Sequence, residues 1–234
     1  MCSGWVGSSA RSWRVPLDDP VGIESASIER TSHDARRSQI FLLLYRRHSI
    51  AVSTTTTRTH NSCMNLVSMT QKVILLTGAT DGIGLETARR LMAQGHHVLV
   101  HGRSPAKLKA AFGDEAESYC CDLSHLHEIP RMAQQIKEKH GHLDVILNNA
   151  GVFKTPEART KEGLDTRITV NTIAPYLLTR ELMPLLSDQS RVINLSSAAQ
   201  APLDMDGVTG DAPYSDDMQA YAQSKLGIVQ WTNA

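Results

Sequence analysis

Tyr221 and Lys225 stand four residues apart in Tyr221-Ala222-Gln223-Ser224-Lys225, so in a helix their side chains share one face. A tyrosine hydroxyl with an ordinary pKa of about 10 exchanges protons poorly at neutral pH. A nearby ammonium favours the phenolate and lowers that pKa. The spacing therefore suits acid/base work, although Tyr-x-x-x-Lys also arises by chance in many sequences. A second stretch with chemical potential is Thr77-Gly78-Ala79-Thr80-Asp81-Gly82-Ile83-Gly84. It follows the apolar run Val73-Ile74-Leu75-Leu76 and precedes a helical pattern with Leu85, Ala88, Leu91 and Met92 on one face, ending at Gly95. Glycines there let the backbone turn tightly and approach a pyrophosphate. The helix start offers free N–H groups and a positive dipole end to the phosphates.

Further apolar runs alternate with helical patterns and supply the elements that would position these groups. His97–His101, Ser118–Cys121, Val145–Leu147 and Arg191–Leu195 read as strands two to five after the first at Val73. Ser104 suits the cap of the following helix and Pro105 its first position. A long helical pattern spans about 161–186 and carries Val170-Asn171. Alternation of this kind predicts an α/β fold, a Rossmann-type doubly wound parallel sheet.

The glycine spacing departs from the common G-x-G-x-x-G and resembles the fingerprint of the short-chain dehydrogenase/reductase family. The resemblance continues in order through Asn148-Asn149-Ala150-Gly151, Asn171, Ser196-Ser197 and the Tyr221/Lys225 pair. It implies an oxidoreductase that moves a hydride between a nicotinamide and a carbonyl or alcohol carbon. By that likeness Ser197 holds the substrate oxygen, with Ser196 as the alternative, and Tyr221 gives or takes the proton. Lys225 tunes Tyr221 and binds the nicotinamide ribose, and Asn171 holds a water in the proton relay. The implied cofactor contacts are Thr77, Gly78, Asp81, Gly82, Ile83, Gly84, Asn149, Ala150 and Gly151, with Asp122-Leu123 at the adenine. An NAD enzyme would place an acid at the end of the second strand. Here Arg103 stands there, and its forked guanidinium suits a 2′-phosphate, so NADP is expected over NAD. Asp81 departs from members that carry a basic residue before the second glycine.

Between Ser197 and Tyr221 lies a long insert, Ala198 to Ala220, with Asp204, Asp206, Asp211, Asp216 and Asp217 in it. A long insert here is similar to retinol-dehydrogenase-like and WW-domain-containing members, which implies a lipophilic or bulky substrate. The chain ends nine residues after Lys225, where family members continue through further strands. Strands one to five are thus expected, with the later strands missing and Val192–Leu195 left as an open edge. The alternative to an enzyme is a truncated, inactive nucleotide-binding or regulatory protein. A homo-oligomer is expected only where the catalytic helix is complete.

Composition bounds the rest. Residues 1–68 hold eight Arg, no Lys and eighteen Ser or Thr, whereas the remainder uses eight Lys and eight Arg. The first 68 residues read as a low-complexity, disordered extension unable to join the sheet, and residues 69–234 as the domain. An organelle transit peptide is the competing reading, but Asp18, Asp19, Glu24, Glu29 and Asp34 argue against it. The protein is therefore expected in the cytoplasm. A net charge of zero gives no reason to expect nucleic acid, and no apolar run is long enough to span a bilayer. No metal is expected: Cys2, Cys63, Cys120 and Cys121 lack ligand spacing, and His125, His127, His140 and His142 straddle a helix.

Overall fold

Five of the apolar segments form parallel strands whose side chains alternate between two helical layers, in a computed structural model that describes residues 70–233 and the backbone of Ile23–Ala26. The strands are β1 (Ile23–Ala26), β2 (Val73–Leu76), β3 (His97–Gly102), β4 (Ser118–Cys120), β5 (Val145–Asn148) and β6 (Arg191–Leu195). The helices are α1 (Gly82–Ala93), α2 (Pro105–Phe112), α3 (Ile129–Lys139), α4 (Thr166–Ile168), α5 (Ala174–Leu182), α6 (Met205–Thr209) and α7 (Asp217–Thr232). A π-helical segment, Thr169–Ile173, joins α4 to α5.

The sheet order is β1-β6-β5-β2-β3-β4. Connections from β2 run outward through β3 to β4, then return across β2 to β5 and β6. Strand order thus reverses between β2 and β5, where the carboxyl ends of the two strands open a crevice. On one face Leu75, Leu99, Ile146 and Val192 pack with Met132 and Ile136 of α3 and Leu178 and Leu182 of α5. On the other, Leu76, Val98, Val100 and Leu147 pack with Ala88 of α1 and Leu108 and Phe112 of α2. Strands buried on both faces account for the unbroken apolar runs. Ser104 caps α2 by accepting from Lys107 N at 3.3 Å, with Pro105 next, as the sequence suggests. Cys120 is exposed and Cys121 buried, as alternate strand faces require.

Three local expectations change. The helix read over 161–186 begins at Thr166, because Asp165 caps it by accepting from Arg167 N, and it passes through the π segment. Val192–Leu195 is not an open edge, and the first 68 residues do contribute to the sheet: Ile23–Ala26 pairs with that strand in parallel, Ile23 opposite Val192 and Ala26 opposite Leu195. A strand edge presents a row of unsatisfied N–H and C=O groups, and four extended residues are enough to meet them. So short a segment leaves no periodicity in the sequence. The other residues read as the N-terminal extension lie outside the described residues. Among the described residues, no helix is long and apolar enough to cross a membrane.

Candidate active site

The glycine turn leaves β2 at the sheet's switch point and is welded to the end of β5. Thr77 is buried, and its Oγ1 accepts from both Asn149 N and Ala150 N at 3.0 Å. The Asn149 amide donates back to Thr77 O at 2.9 Å and Gly78 O at 3.1 Å. These bonds draw the two strand ends so close that side chains are excluded. A Cβ on Gly78, at φ +65°, would lie 2.8 Å from Ala150 Cα, and one on Gly84 would lie 2.1 Å from Gly78 O. Asp81 does not reach outward: it caps α1, accepting from Gly82 N at 2.7 Å. Ile83, 52% exposed, is the apolar residue left on the rim of the crevice.

A residue the sequence reading passes over as mere strand holds this turn from behind. His101 is buried in β3; its Nδ1 accepts from Gly78 N at 3.3 Å and its Nε2 meets Cys121 O at 3.0 Å. A carbonyl can only accept, so Nε2 carries the proton and the ring is neutral. Burial pushes its pKa down to about 4, more than the Cys121 carbonyl and Asp122 raise it. The only sequence signal was a histidine within an apolar strand.

The other residues expected at the adenosine end sit where β3 and β4 finish. Arg103 is exposed just beyond β3. Asp122 follows β4, and its Oδ1 accepts from Ser124 N at 2.9 Å and Ser124 Oγ at 2.7 Å. Burial opposes its charge, but those two bonds, His125 and Arg103 outweigh burial and hold it below the usual carboxylate range. Leu123 is buried beneath this turn. The Asp122 backbone is engaged too, its N–H donating to Glu128 Oε2 at 3.0 Å and its carbonyl accepting from His125 N at 2.9 Å.

Helix α7 carries Tyr221 and Lys225. Asp216 caps it by accepting from Gln219 N at 2.8 Å. Lys225 is 5% exposed, and its Nζ lies 5.9 Å from the centre of the Tyr221 ring. Burial lowers the Lys225 pKa to about 8, and Nζ donates to Leu195 O at 2.8 Å. Phe153, in the loop after Gly151, meets the Tyr221 ring edge-on at 5.1 Å. A Cβ at Gly151 would be 3.4 Å from both Lys225 Nζ and Asn171 Oδ1, so all three converge on one spot.

Asn171 lies in the π segment and is fully buried. Its amide accepts from Val152 N at 2.8 Å and donates to Val152 O and Ser224 Oγ at 2.9 Å each. That spends the side chain on bracing the loop after β5 against α7, which leaves the backbone of the π segment for any water. Interruptions of this type are frequent at functional sites. The two serines divide cleanly. Ser196 is buried, and its Oγ donates to Lys225 O at 2.6 Å. Ser197 is half-buried, and its Oγ accepts from Ala199 N at 3.2 Å, which leaves its proton free to donate.

The insert after Ser197 is folded against this helix. Its α6 is capped by Asp204, whose backbone N–H donates to Gln223 Oε1 at 2.8 Å. Asp217 pairs with Arg167, which also grips Asp165 in a fork at 2.9 and 2.6 Å. Arg167 is 3% exposed, so this ion pair clamps the first turn of α7 to α4.

Residues 72–234 match the sequence profile of the family described as short chain dehydrogenase. Human polyprenol dehydrogenase is 36% identical over 177 residues, which cover 69% of this chain and 53% of that protein. Human retinol dehydrogenase 13 is 33% identical over 186 residues, covering 74% of this chain and 56% of that protein. A metagenomic short-chain oxidoreductase solved in complex with NADP superposes with a TM-score of 0.55 at 36% identity, covering 68% of this chain and 72% of the other. The chain therefore spans about half the length of the curated relatives it matches. The likeness to retinol-dehydrogenase-like members, expected from the insert, is present among these relatives. With its glycine turn, strand-end serine and Tyr-Lys helix meeting at one crevice, the chain belongs to the short-chain dehydrogenase family.

Proposed function

We propose that this chain is the cofactor-binding and proton-transferring part of an NADP-dependent oxidoreductase acting on a carbonyl or alcohol. The observation that carries the proposal is the buried Lys225 ammonium, which lies at Gly151 and beside the Tyr221 ring. The crevice fits a dinucleotide: Gly78 and Gly84 leave room where any Cβ would intrude, and α1 begins there with its N–H groups outward. Arg103, exposed at the end of β3 where no acid stands, favours a 2′-phosphate, and a similar structure holds NADP.

When bound, the nicotinamide supplies or accepts the hydride. Ser197 donates its free hydroxyl proton to the substrate oxygen and fixes it near Tyr221. Tyr221 gives a proton to that oxygen in reduction and takes it back in oxidation. Lys225 supplies positive charge 5.9 Å from the centre of the phenol ring. Its own place is set by Leu195 O and by the Ser196 bond to its carbonyl. Asn171 is a positioning residue, joining the loop after β5 to α7. Phe153 steadies the Tyr221 ring and, with exposed Ile83, gives the crevice an apolar side, in keeping with a lipophilic substrate. A cytoplasmic location belongs to the same proposal.

Tyr221→Phe in the whole protein tests this reading. Turnover should fall by at least about a hundredfold, the usual scale of a lost acid/base group. NADPH affinity should stay within about twofold, since the ring remains. Retained turnover would refute the proton role, and NADPH binding by the wild type without turnover would leave a nucleotide-binding protein.

A further inference from the structure

At the opposite end of the sheet from the crevice, three side chains from separate elements converge. His97 opens β3, Glu117 immediately precedes β4, and His140 follows the last residue of α3. Their ligand-type atoms all lie within 4.8 Å of one another. His97 Nε2 is 3.4 Å and His140 Nε2 3.1 Å from the same atom, Glu117 Oε2. The sequence grouping of His140 with His125, His127 and His142 misses this set, because the partners sit 43 and 23 positions upstream.

Glu117 is oriented for this arrangement. Its other oxygen, Oε1, accepts from Tyr119 OH at 2.7 Å and from Lys139 Nζ at 3.0 Å. The carboxylate is thereby split, one oxygen held by protein donors and one turned toward two imidazoles. Outer partners of this type fix a metal-ligating carboxylate. For a tetrahedral ion with ligand bonds of about 2.0–2.1 Å, donor atoms stand roughly 3.3 Å apart. The two nitrogen–oxygen separations match that edge.

We infer that His97, Glu117 and His140 form a binding site for a divalent transition-metal ion, zinc by ligand type, that ties β3, β4 and α3 together at the amino end of the sheet. Two imidazoles and one carboxylate suit zinc, whereas magnesium and calcium prefer all-oxygen shells. The role is structural: the ligands lie at the amino ends of the strands, and the glycine turn and Tyr221 lie at the carboxyl ends.

Calorimetric titration of the full chain with zinc chloride alone tests the site, with magnesium chloride as control. One equivalent should bind with a Kd of about 1 μM or tighter. Saturating zinc should raise the melting temperature. His97→Ala and His140→Ala should each weaken zinc at least tenfold and abolish the thermal shift. The His97 side chain is 43% exposed, so that variant keeps the fold and its melting curve without zinc serves as reference. Cobalt substitution supplies the second readout. Visible d–d bands without thiolate charge transfer would support the His-Glu-His set, and thiolate bands would assign the ion to cysteine and overturn it. Absence of binding, equal binding of magnesium, or unchanged affinity in both variants would overturn it as well.

Discussion

Acid should loosen the glycine turn through His101 alone, and a single substitution isolates the effect. The ring is held neutral, because Nδ1 must accept from Gly78 N while Nε2–H donates to Cys121 O. Its folded pKa is about 4 against 6.5 for an unconstrained histidine. Above pH 6.5 both folded and unfolded chains carry it neutral, and its contribution to stability is complete. Between 6.5 and 4 the unfolded chain binds the proton first, so stability falls as pH falls through that window. The gap corresponds to about 3 kcal/mol. That is a large share of a domain's usual stability of roughly 5–15 kcal/mol. His101→Asn removes the titration and can still offer Gly78 N an acceptor, but it abandons Cys121 O, at a cost of about 1–3 kcal/mol near neutrality. Urea unfolding of both proteins from pH 7.5 to 4 gives the comparison. The wild type should start more stable and lose its advantage as pH drops, since carboxylate effects common to both proteins cancel. Parallel pH profiles would show that His101 is not buried neutral, and the bracing argument would fail.

Three further outcomes follow from the same geometry. Lys225, lowered by burial to about 8, is charged in both states below that value; from pH 8 to 10.5 the folded chain sheds the proton first, so stability should rise with pH there by about 3 kcal/mol. Lys225→Met should flatten that rise in denaturant titrations. Arg167→Leu would leave Asp165 buried without its partner and free the first turn of α7, so unfolding free energy should drop by about 3–5 kcal/mol. A loss below 1 kcal/mol would show the clamp is dispensable. Removal of residues 1–68 takes away β1 and bares Val192–Leu195, which should lower stability on the order of 2 kcal/mol and promote association seen by size exclusion. An unchanged, monodisperse protein would show that the β1 pairing contributes nothing.

The parts of this fold legible in the sequence are those written in local periodicity. Each central strand is an apolar run because both faces are covered, and the turns after β2, β3, β5 and β6 carry Gly, Ser or Asn within two residues of the strand end. What escapes is what depends on a partner far along the chain. His101 acquires its role from Gly78 and Cys121, Asp217 from Arg167 fifty residues upstream, and His140 from His97 and Glu117. The π segment escapes as well. Its residues, Thr169-Val170-Asn171-Thr172-Ile173, are weak helix formers but carry no local mark of a π turn, and the irregularity accompanies tertiary bonds such as Thr172 Oγ1 to Ser224 O at 2.7 Å.

The two serines after β6 show where the boundary lies. Alternation along a strand sends Ser196 and Ser197 to opposite sides, and both are small, polar and equally suited to hold a substrate oxygen. Nothing within a few residues distinguishes them. The choice is made by α7, which returns over β6 with the Lys225 carbonyl set 2.6 Å from Ser196 Oγ. That carbonyl lies inside α7 and takes the hydroxyl as a second donor, and a hydroxyl so engaged has no proton left for substrate. Ser197, half-buried and accepting from its own turn, keeps its proton. The two substitutions should therefore fail differently. Ser196→Ala removes this second bond to the Lys225 carbonyl and should cost about 0.5–1.5 kcal/mol of stability, with kcat impaired only through a loosened Lys225. Ser197→Ala should leave the melting curve unchanged and lower kcat/KM by about a hundredfold, the scale of one lost donor to a developing oxyanion. If Ser196→Ala abolished turnover at full stability while Ser197→Ala remained active, the assignment of the two hydroxyls would be reversed.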